Sequence, residues 1–348
     1  MRYPFSRIIA LSLLLTFSLT AAAQYETAVQ YMEQISKGTK DITVKNLYYM
    51  SGMSHGKSAR KVEKRRLELI DVINDTRINV TAMPAWKGDR SLRDSAVAFL
   101  KIMNIVFRED YGKIVNMEEI AEQSYDAMEA YMLAKDKAHE KLDEANDRLS
   151  EAYKQFAAKN NITLIDNDSE IENKAKIVGQ VMDHANAVYL IFFKAYKQEA
   201  YLMEAINNKN LVAIEQNLNS LQKFAEEGLE KLKPLKGYNG DGSLITTCRN
   251  MMNHYKREVT KAPAATDFII KQEEFAKLKK QFESKPSGKR TQQDIDQYNK
   301  AVNDINAASN KFNNAMNELN RDTKTALNEW NKTYNDYLDE YIPKQGRQ

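Results

Sequence analysis

The chain has few of the residues that cross-link a protein or interrupt helices, and it lacks long apolar stretches that could span a membrane. It has one cysteine, Cys248, among 348 residues, so no intramolecular disulfide is possible. Six prolines and twelve glycines leave long uninterrupted stretches rich in Ala, Glu, Lys, Leu, Asn and Gln, and strand-like alternation is nearly absent. After residue 24 no stretch approaches the ~20 apolar residues that a membrane-spanning helix needs. The sequence therefore predicts an all-α protein stabilised by helix packing.

An excess of charge of one sign is also missing. The chain has 51 basic and 48 acidic residues, and removal of the two arginines in the first 23 residues leaves a net charge of +1. Such a balance gives no general electrostatic attraction to nucleic acid or to an anionic membrane. We therefore expect no nucleic-acid partner.

The N-terminus is typical of a secretory signal peptide. Two arginines precede an apolar run at residues 8–19, and Ala21, Ala22 and Ala23 provide a cleavage site. Cleavage after Ala23 would leave Gln24 first, and since Gln24 is not a cysteine we expect no lipid anchor there. We predict export to the periplasm, the outer surface or the medium of a Gram-negative bacterium.

One short sequence element occurs twice, and it predicts a corner between two helices. Pro84, Trp86 and the run Gly-Asp-Arg-Ser-Leu at residues 88–92 match Pro234, Tyr238 and the run Gly-Asp-Gly-Ser-Leu at residues 240–244. Proline would end one helix, glycine would permit the turn, and Ser91 or Ser243 would cap the next helix. Ser91 and Asp94 also resemble a capping box. The alternative is a chance match of common turn residues.

This repeat predicts two tandem, four-helix-like units, residues 24–160 and 171–348, joined by a polar linker at 161–170. Expected helices lie near residues 26–53, 58–81, 91–111 and 117–159, and then near 170–206, 211–233, 243–261, 268–282 and 292–341. The breaks at 52–56 and 207–210 could each instead be a kink in a longer helix. Apolar residues follow heptad spacing in the long helices, so we expect an elongated helical bundle whose last helix is on the order of 70 Å long.

The final helix carries a second stripe, made of asparagine. Its members follow four- and three-residue steps, one position beyond the core residues: Asn299, Asn303, Asn306, Asn310, Asn313, Asn317 and Asn320. Asparagine is a poor helix former, so this repetition runs against helix propensity. The stripe is either compositional drift on an exposed face or a contact face, with another element of unit 2 or with a partner molecule.

A basic cluster opens the second helix. It consists of Lys57, Arg60, Lys61, Lys64, Arg65 and Arg66. Such a cluster could bind a polyanion or lipid headgroups, or it could be a solvated helix face paired with acidic neighbours. No aromatic residue is interleaved with it, which argues against single-stranded nucleic acid.

Patterns that would indicate catalysis or metal binding fail on inspection. Residues 51–58 lack the spacing of a phosphate-binding loop, and no histidine follows the Glu-x-x-His pattern of di-metal bundles. Residues 166–170 begin like a calcium loop, yet Ile171 stands where the turn requires glycine. We predict no catalytic residue, no cofactor and no metal site, and hence no enzyme.

Three stretches carry a family resemblance. They are SHGKSARKVEKRR at residues 54–66, EDYGKIV and MEEIAEQSY within residues 109–125, and KRTQQD at residues 289–294. These resemble an uncharacterised family of exported bacterial surface proteins of the leptospiral type, also common in Bacteroidetes. The resemblance implies an envelope or surface location and supplies no catalytic residue.

The sequence thus predicts an exported helical-bundle protein of the cell envelope or surface with a structural or interaction role. Its partner would be a protein or another envelope component. The alternative is a membrane-active protein that inserts the apolar run at residues 188–193 into a bilayer.

Overall fold

A computed structural model describes residues 25–54, 59–165 and 170–342. The predicted signal peptide, residues 55–58 with Lys57 among them, and residues 166–169 of the predicted linker lie outside these residues. Across the described ranges the secondary structure is helical apart from two isolated bridges, which confirms the all-α fold class.

The helices fall into two sets of five. The first set comprises α1 (Ala28–Ser54), α2 (Ala59–Thr81), α3 (Ser91–Ile105), α4 (Tyr111–Ala121) and α5 (Tyr125–Lys159). The second comprises α6 (Glu170–Asn207), α7 (Leu211–Leu232), α8 (Ser243–Lys261), α9 (Pro263–Ser284) and α10 (Gln292–Tyr341). A π-helix, Val106–Asp110, joins α3 to α4, and a 3-10 turn, Ser287–Lys289, joins α9 to α10.

The predicted gap between residues 111 and 117 is wrong. The chain stays helical from Ser91 to Ala121 through the π-helix, and the break comes at residues 122–124. There the extended backbone of Ser124 starts a new helix, because its hydroxyl accepts a hydrogen bond from the Ala127 N–H at 3.1 Å. The predicted break at 207–210 is confirmed: Lys209 adopts a left-handed φ of 52°, and the Asn210 side chain caps α7.

Two hydrophobic cores accompany the two sets. The first lies within residues 25–162, with Tyr31, Tyr49, Phe107 and Phe156 among its largest buried side chains. The second is built on α6–α10, but it also includes Leu47, Ala121 and Met128. The two units therefore meet along α1, α5 and α6 rather than standing apart.

Both predicted corners are present with the same geometry. Each is a two-residue turn closed by a bridge, Trp86 with Asp89 and Tyr238 with Asp241. The central residues have left-handed φ values, 47° and 87° in the first corner and 48° and 85° in the second. This is the twisted hairpin turn in which glycine is favoured at the second central position.

The predicted serine caps are wrong. Ser91 and Ser243 are the first residues of their helices, and neither caps through its hydroxyl. Instead Asp89 Oδ1 accepts the Ser91 N–H at 2.8 Å, and Asp241 Oδ1 accepts the Ser243 N–H at 2.8 Å. A carboxylate accepts these helix-terminal N–H groups with the added benefit of its charge, since the helix N-terminus is partially positive.

Beyond the second core, α9 and α10 continue as a two-helix arm, which we define as residues 273–307. No residue of the arm is buried. Its inner seam is half-buried, and ring contacts join Phe275 and Phe282 of α9 to Tyr298 of α10. With 50 residues, α10 is about 75 Å long and serves both the core and the arm.

Candidate functional site

The asparagine stripe lies on the open surface of α10. All seven asparagines are exposed, and within the described chain none of their amides has a protein hydrogen-bond partner. The hypothesis that the stripe packs against another element of unit 2 is therefore wrong, because no such element covers it. A contact with a partner molecule stays a prediction.

The basic cluster does not form a single patch. Arg60, Lys61 and Lys64 are exposed, whereas Arg66 is buried and Arg65 is half-buried with its guanidinium on the Tyr48 carbonyl oxygen. The six-residue anion patch predicted from the sequence is thus wrong in its inner members, since the last two arginines point into the bundle. Lys57 lies outside the described residues.

Arg66 instead supports the π-helix. Its Nη1 donates to the Phe107 carbonyl oxygen at 2.6 Å, and its Nε and Nη2 donate to the Glu63 carboxylate at 2.8 and 2.7 Å. These hydrogen bonds lower the pKa of Glu63 and raise that of Arg66. A π-helix shifts the usual backbone pairing, so a buried guanidinium that binds one of its carbonyls stabilises it.

Sequence reasoning missed this role, although a signal was available. Arg66 follows the buried Val62 by four residues and precedes the buried Leu69 by three, so it occupies the core-facing side of α2. A basic residue in such a position is almost never fully buried unless it is paired.

A second feature that the sequence did not indicate is a cavity between the two units. Its volume is about 490 Å³. α1, α3, the π-helix, α5 and α6 supply its apolar wall, which includes Leu47, Met50, Met103, Phe107, Leu142 and Val178. Asn46 also lines it, and its buried Oδ1 has no hydrogen-bond partner. At Gly179 a Cβ would meet nothing within 4 Å, so this stretch of the wall is open space.

An acidic groove of about 570 Å³ adjoins this cavity on the outer side of α5 and α6. His139, Asp143 and Asp183 line both spaces, so the acidic groove and the cavity adjoin at these residues. Its carboxylates are Asp136, Glu140, Asp143, Glu144, Asp147 and Asp183. No lysine or arginine is part of the described groove lining.

The charges of the groove are only partly compensated. Glu140 and Glu144 pair with bases on their own helix, at 3.6 Å from Lys137 and 3.7 Å from Arg148. Desolvation, together with the charges of Asp136 and Asp143, raises the pKa of Asp183, while His139 and Lys135 act to lower it. A group of close carboxylates attracts a cation.

A second unusual group lies inside unit 2. Glu258 of α8 is 1% exposed, and both its carboxyl oxygens lack a hydrogen-bond partner in the described chain. Burial, reinforced by the nearby Glu199, raises the pKa of Glu258 to about 8, and burial raises the pKa of Glu199 to about 7. Burial also lowers the pKa of His254, whose Nε2 lies 3.7 Å from Glu258 Oε2. At neutral pH this is a contact between two neutral groups rather than an ion pair.

No nucleophile is activated near these groups. Burial raises the pKa of the Cys248 thiol to about 12, which keeps it protonated. Across the described ranges no group of three or more histidine, cysteine, aspartate or glutamate side chains is arranged to hold a metal ion.

The apolar run at residues 188–193 belongs to the core of unit 2. Val188, Phe192 and Phe193 are buried, and the Phe192 ring stacks on Trp330 with 4.2 Å between centroids. None of the helices in the described part of the chain combines the length and the apolar character needed to cross a membrane.

Comparison with known proteins adds no family to this picture. No family model matches the chain, and comparisons with curated proteins and with solved structures found no match either. The resemblance to an exported surface-protein family stays a prediction.

Proposed function

We propose that this protein is an exported, non-enzymatic interaction protein of the cell envelope, and that it contacts another protein through the arm. The observation that carries the proposal is the arm itself, a two-helix projection in which no residue is buried.

The arm contributes little to the stability of the isolated protein. Ordering a residue costs on the order of 1–2 kcal/mol in backbone entropy, which is normally offset by buried apolar surface. Here the inner seam is only half-buried, and Ile295 is 36% exposed. A protein laid along the arm would bury this surface further, as an added helix does in a bundle.

The asparagine stripe suits such a contact. Each amide offers two donors and a carbonyl acceptor, so a row of exposed amides can pair with a partner's polar groups and remain soluble without it. Asn303, Asn306 and their neighbours weaken the helix they occupy, because asparagine has low helix propensity. A role in binding gives a reason for keeping them.

The cellular location in this proposal rests on the sequence. The predicted signal peptide supports export, and the resemblance to exported surface proteins supports an envelope or surface position.

Site-specific photo-crosslinking tests the proposal in the encoding bacterium. A benzoylphenylalanine at position 306 on the stripe is compared with one at position 216, an equally exposed site on α7. We expect a discrete adduct from position 306 alone. The crosslinked protein, once identified and purified, should bind the parent chain and bind Asn303→Ala/Asn306→Ala/Asn310→Ala/Asn313→Ala at least tenfold more weakly.

Equal adducts from both positions, no adduct, or an affinity unchanged by the quadruple substitution would overturn the proposal.

The alternative of membrane insertion requires the core of unit 2 to open, because Val188, Phe192 and Phe193 are buried there. Flotation of the purified protein with liposomes, accompanied by exposure of Trp330 to a lipid quencher, would favour that alternative instead.

A further inference from the structure

We propose that the cavity between the two units binds an amphiphilic amine, with the apolar body in the cavity and the ammonium group in the acidic groove. This site is separate from the arm, and it does not depend on the arm having a partner.

The cavity has the character of a small-molecule site. Its volume of about 490 Å³ falls within the ~300–1,000 Å³ that is usual for ligand pockets, and it lies where two packed units meet. Side chains such as Leu47, Met103 and Val178 give it an apolar wall from both units. Apolar surface exposed in this way favours an apolar ligand body, since burial removes both surfaces from water.

The acidic groove selects the charge of the ligand. Asp136, Asp147 and Asp183 line the groove without an ion pair in the described chain. Against them stand Lys176, in the cavity wall, and Lys135, whose charge acts on Asp183. The carboxylates outnumber these bases, so an ammonium group is attracted and a carboxylate or phosphate is repelled.

Isothermal titration of the purified mature protein with three decyl probes tests the proposal. Decylamine, decan-1-ol and decanoate share one chain, and each is used below its micelle concentration. We expect decylamine to bind about tenfold more tightly than decan-1-ol, and decanoate to bind most weakly.

Three variants assign the binding to this cavity. Gly179→Phe places a ring in the open space of the cavity and should abolish binding of decylamine and decan-1-ol. Gly288→Phe is its matched control, because a Cβ there also meets nothing within 4 Å but the residue lies at the end of the arm, and it should bind as the parent does. Asp136→Asn/Asp143→Asn/Asp183→Asn should keep decan-1-ol binding and lose the preference for the amine.

Each contrary result overturns the proposal. These results are a parent chain that binds none of the probes, a parent that binds all three equally, and a Gly179→Phe variant that binds decylamine as tightly as Gly288→Phe does. Circular dichroism on the two glycine variants confirms that both are folded.

Discussion

Units 1 and 2 have the same order of helices and differ in the length of their last two helices. Both have a helical hairpin, the same corner, and then a helix that leads into a final hairpin. Both also bring the end of the last helix back to the corner. In unit 1 Trp86 Nε1 donates to Asn160 Oδ1 at 2.9 Å, and in unit 2 the Tyr238 ring packs edge-on against Tyr341 with 5.3 Å between centroids.

The difference lies after the corner. Unit 1 continues through the π-helix into α4, which has 11 residues, whereas unit 2 restarts at Pro263 and extends α9 to 22 residues. The final helix grows correspondingly, from 35 residues in α5 to 50 in α10. The shared parts carry the cores, and the extended part carries none of the buried side chains. The cores therefore stabilise the fold, whereas the arm is a surface that the fold exposes.

The largest effect we expect is a decline of stability with rising pH that comes from the buried Glu258 of unit 2. The pKa of Glu258 is about 8 in the folded protein against an ordinary 4.5, so the folded state keeps a proton that the unfolded state has released. Stability from this group is complete below pH 4.5 and declines between pH 4.5 and 8, by on the order of 4 kcal/mol.

Urea unfolding of the parent and of Glu258→Gln at pH 5, 6, 7 and 8 measures this effect. Since glutamine does not ionise, the variant should gain on the parent as the pH rises, although Glu199 leaves it a smaller decline of its own. A constant difference between the two proteins across this range would contradict the prediction.

Unit 1 depends in turn on Arg66. Replacing it by methionine removes the hydrogen bonds from the guanidinium to the buried Phe107 carbonyl oxygen and to the Glu63 carboxylate. We expect a loss of about 3 kcal/mol in the free energy of unfolding. Lys64→Met, on the exposed side of the same helix, is the control and should change stability by less than about 0.5 kcal/mol. Equal losses from the two variants would show that the π-helix does not need the guanidinium.

The asparagine stripe of α10, which begins in the arm and continues beyond it, should respond in the opposite direction. The quadruple substitution of Asn303, Asn306, Asn310 and Asn313 by alanine should raise the free energy of unfolding by about 2 kcal/mol, because alanine is the better helix former and these amides are exposed. Thermal unfolding followed at 222 nm measures it. A fall in the melting temperature would show that the amides already have partners within the isolated protein.

The smallest effect tests the repeat itself. Asp89→Ala and Asp241→Ala each remove a carboxylate that binds the first N–H groups of a helix, and each should cost about 1 kcal/mol. Ser91→Ala and Ser243→Ala should cost less, because these hydroxyls do not cap. Markedly unequal losses at the two aspartates would mean that the corners are alike only in shape.

Much of the helical framework could be predicted from the sequence. Both corners and the bounds of α10 were predicted from local patterns in the sequence. The structure adds a capping box of Thr291 and Asp294 at the start of α10. The gap placed near Gly112 failed because tertiary packing overrode the glycine: Tyr111 and Ile114 are buried on either side of it. A glycine costs a helix only ~1 kcal/mol, which packing readily exceeds.

The candidate site was beyond prediction for a different reason. Asp136 and Asp143 belong to α5 and Asp183 to α6, and only the packing of these helices brings the carboxylates to one groove. Periodicity places Arg66 on the core-facing side of α2, but the carbonyl that it binds belongs to Phe107 of the π-helix, 41 residues further along the chain. Periodicity indicates which face of a helix is buried, but it does not identify the helix that covers that face.

The length of α10 has a mechanical consequence. From Gln292 to Tyr341 it contains neither glycine nor proline, the residues at which helices most often bend. Near its far end Trp330 and Tyr337 are held in the core of unit 2. A load applied to the tip of the arm therefore reaches the second corner as the swing of a stiff lever, and the direction in which the arm points is set by the side chains at its base.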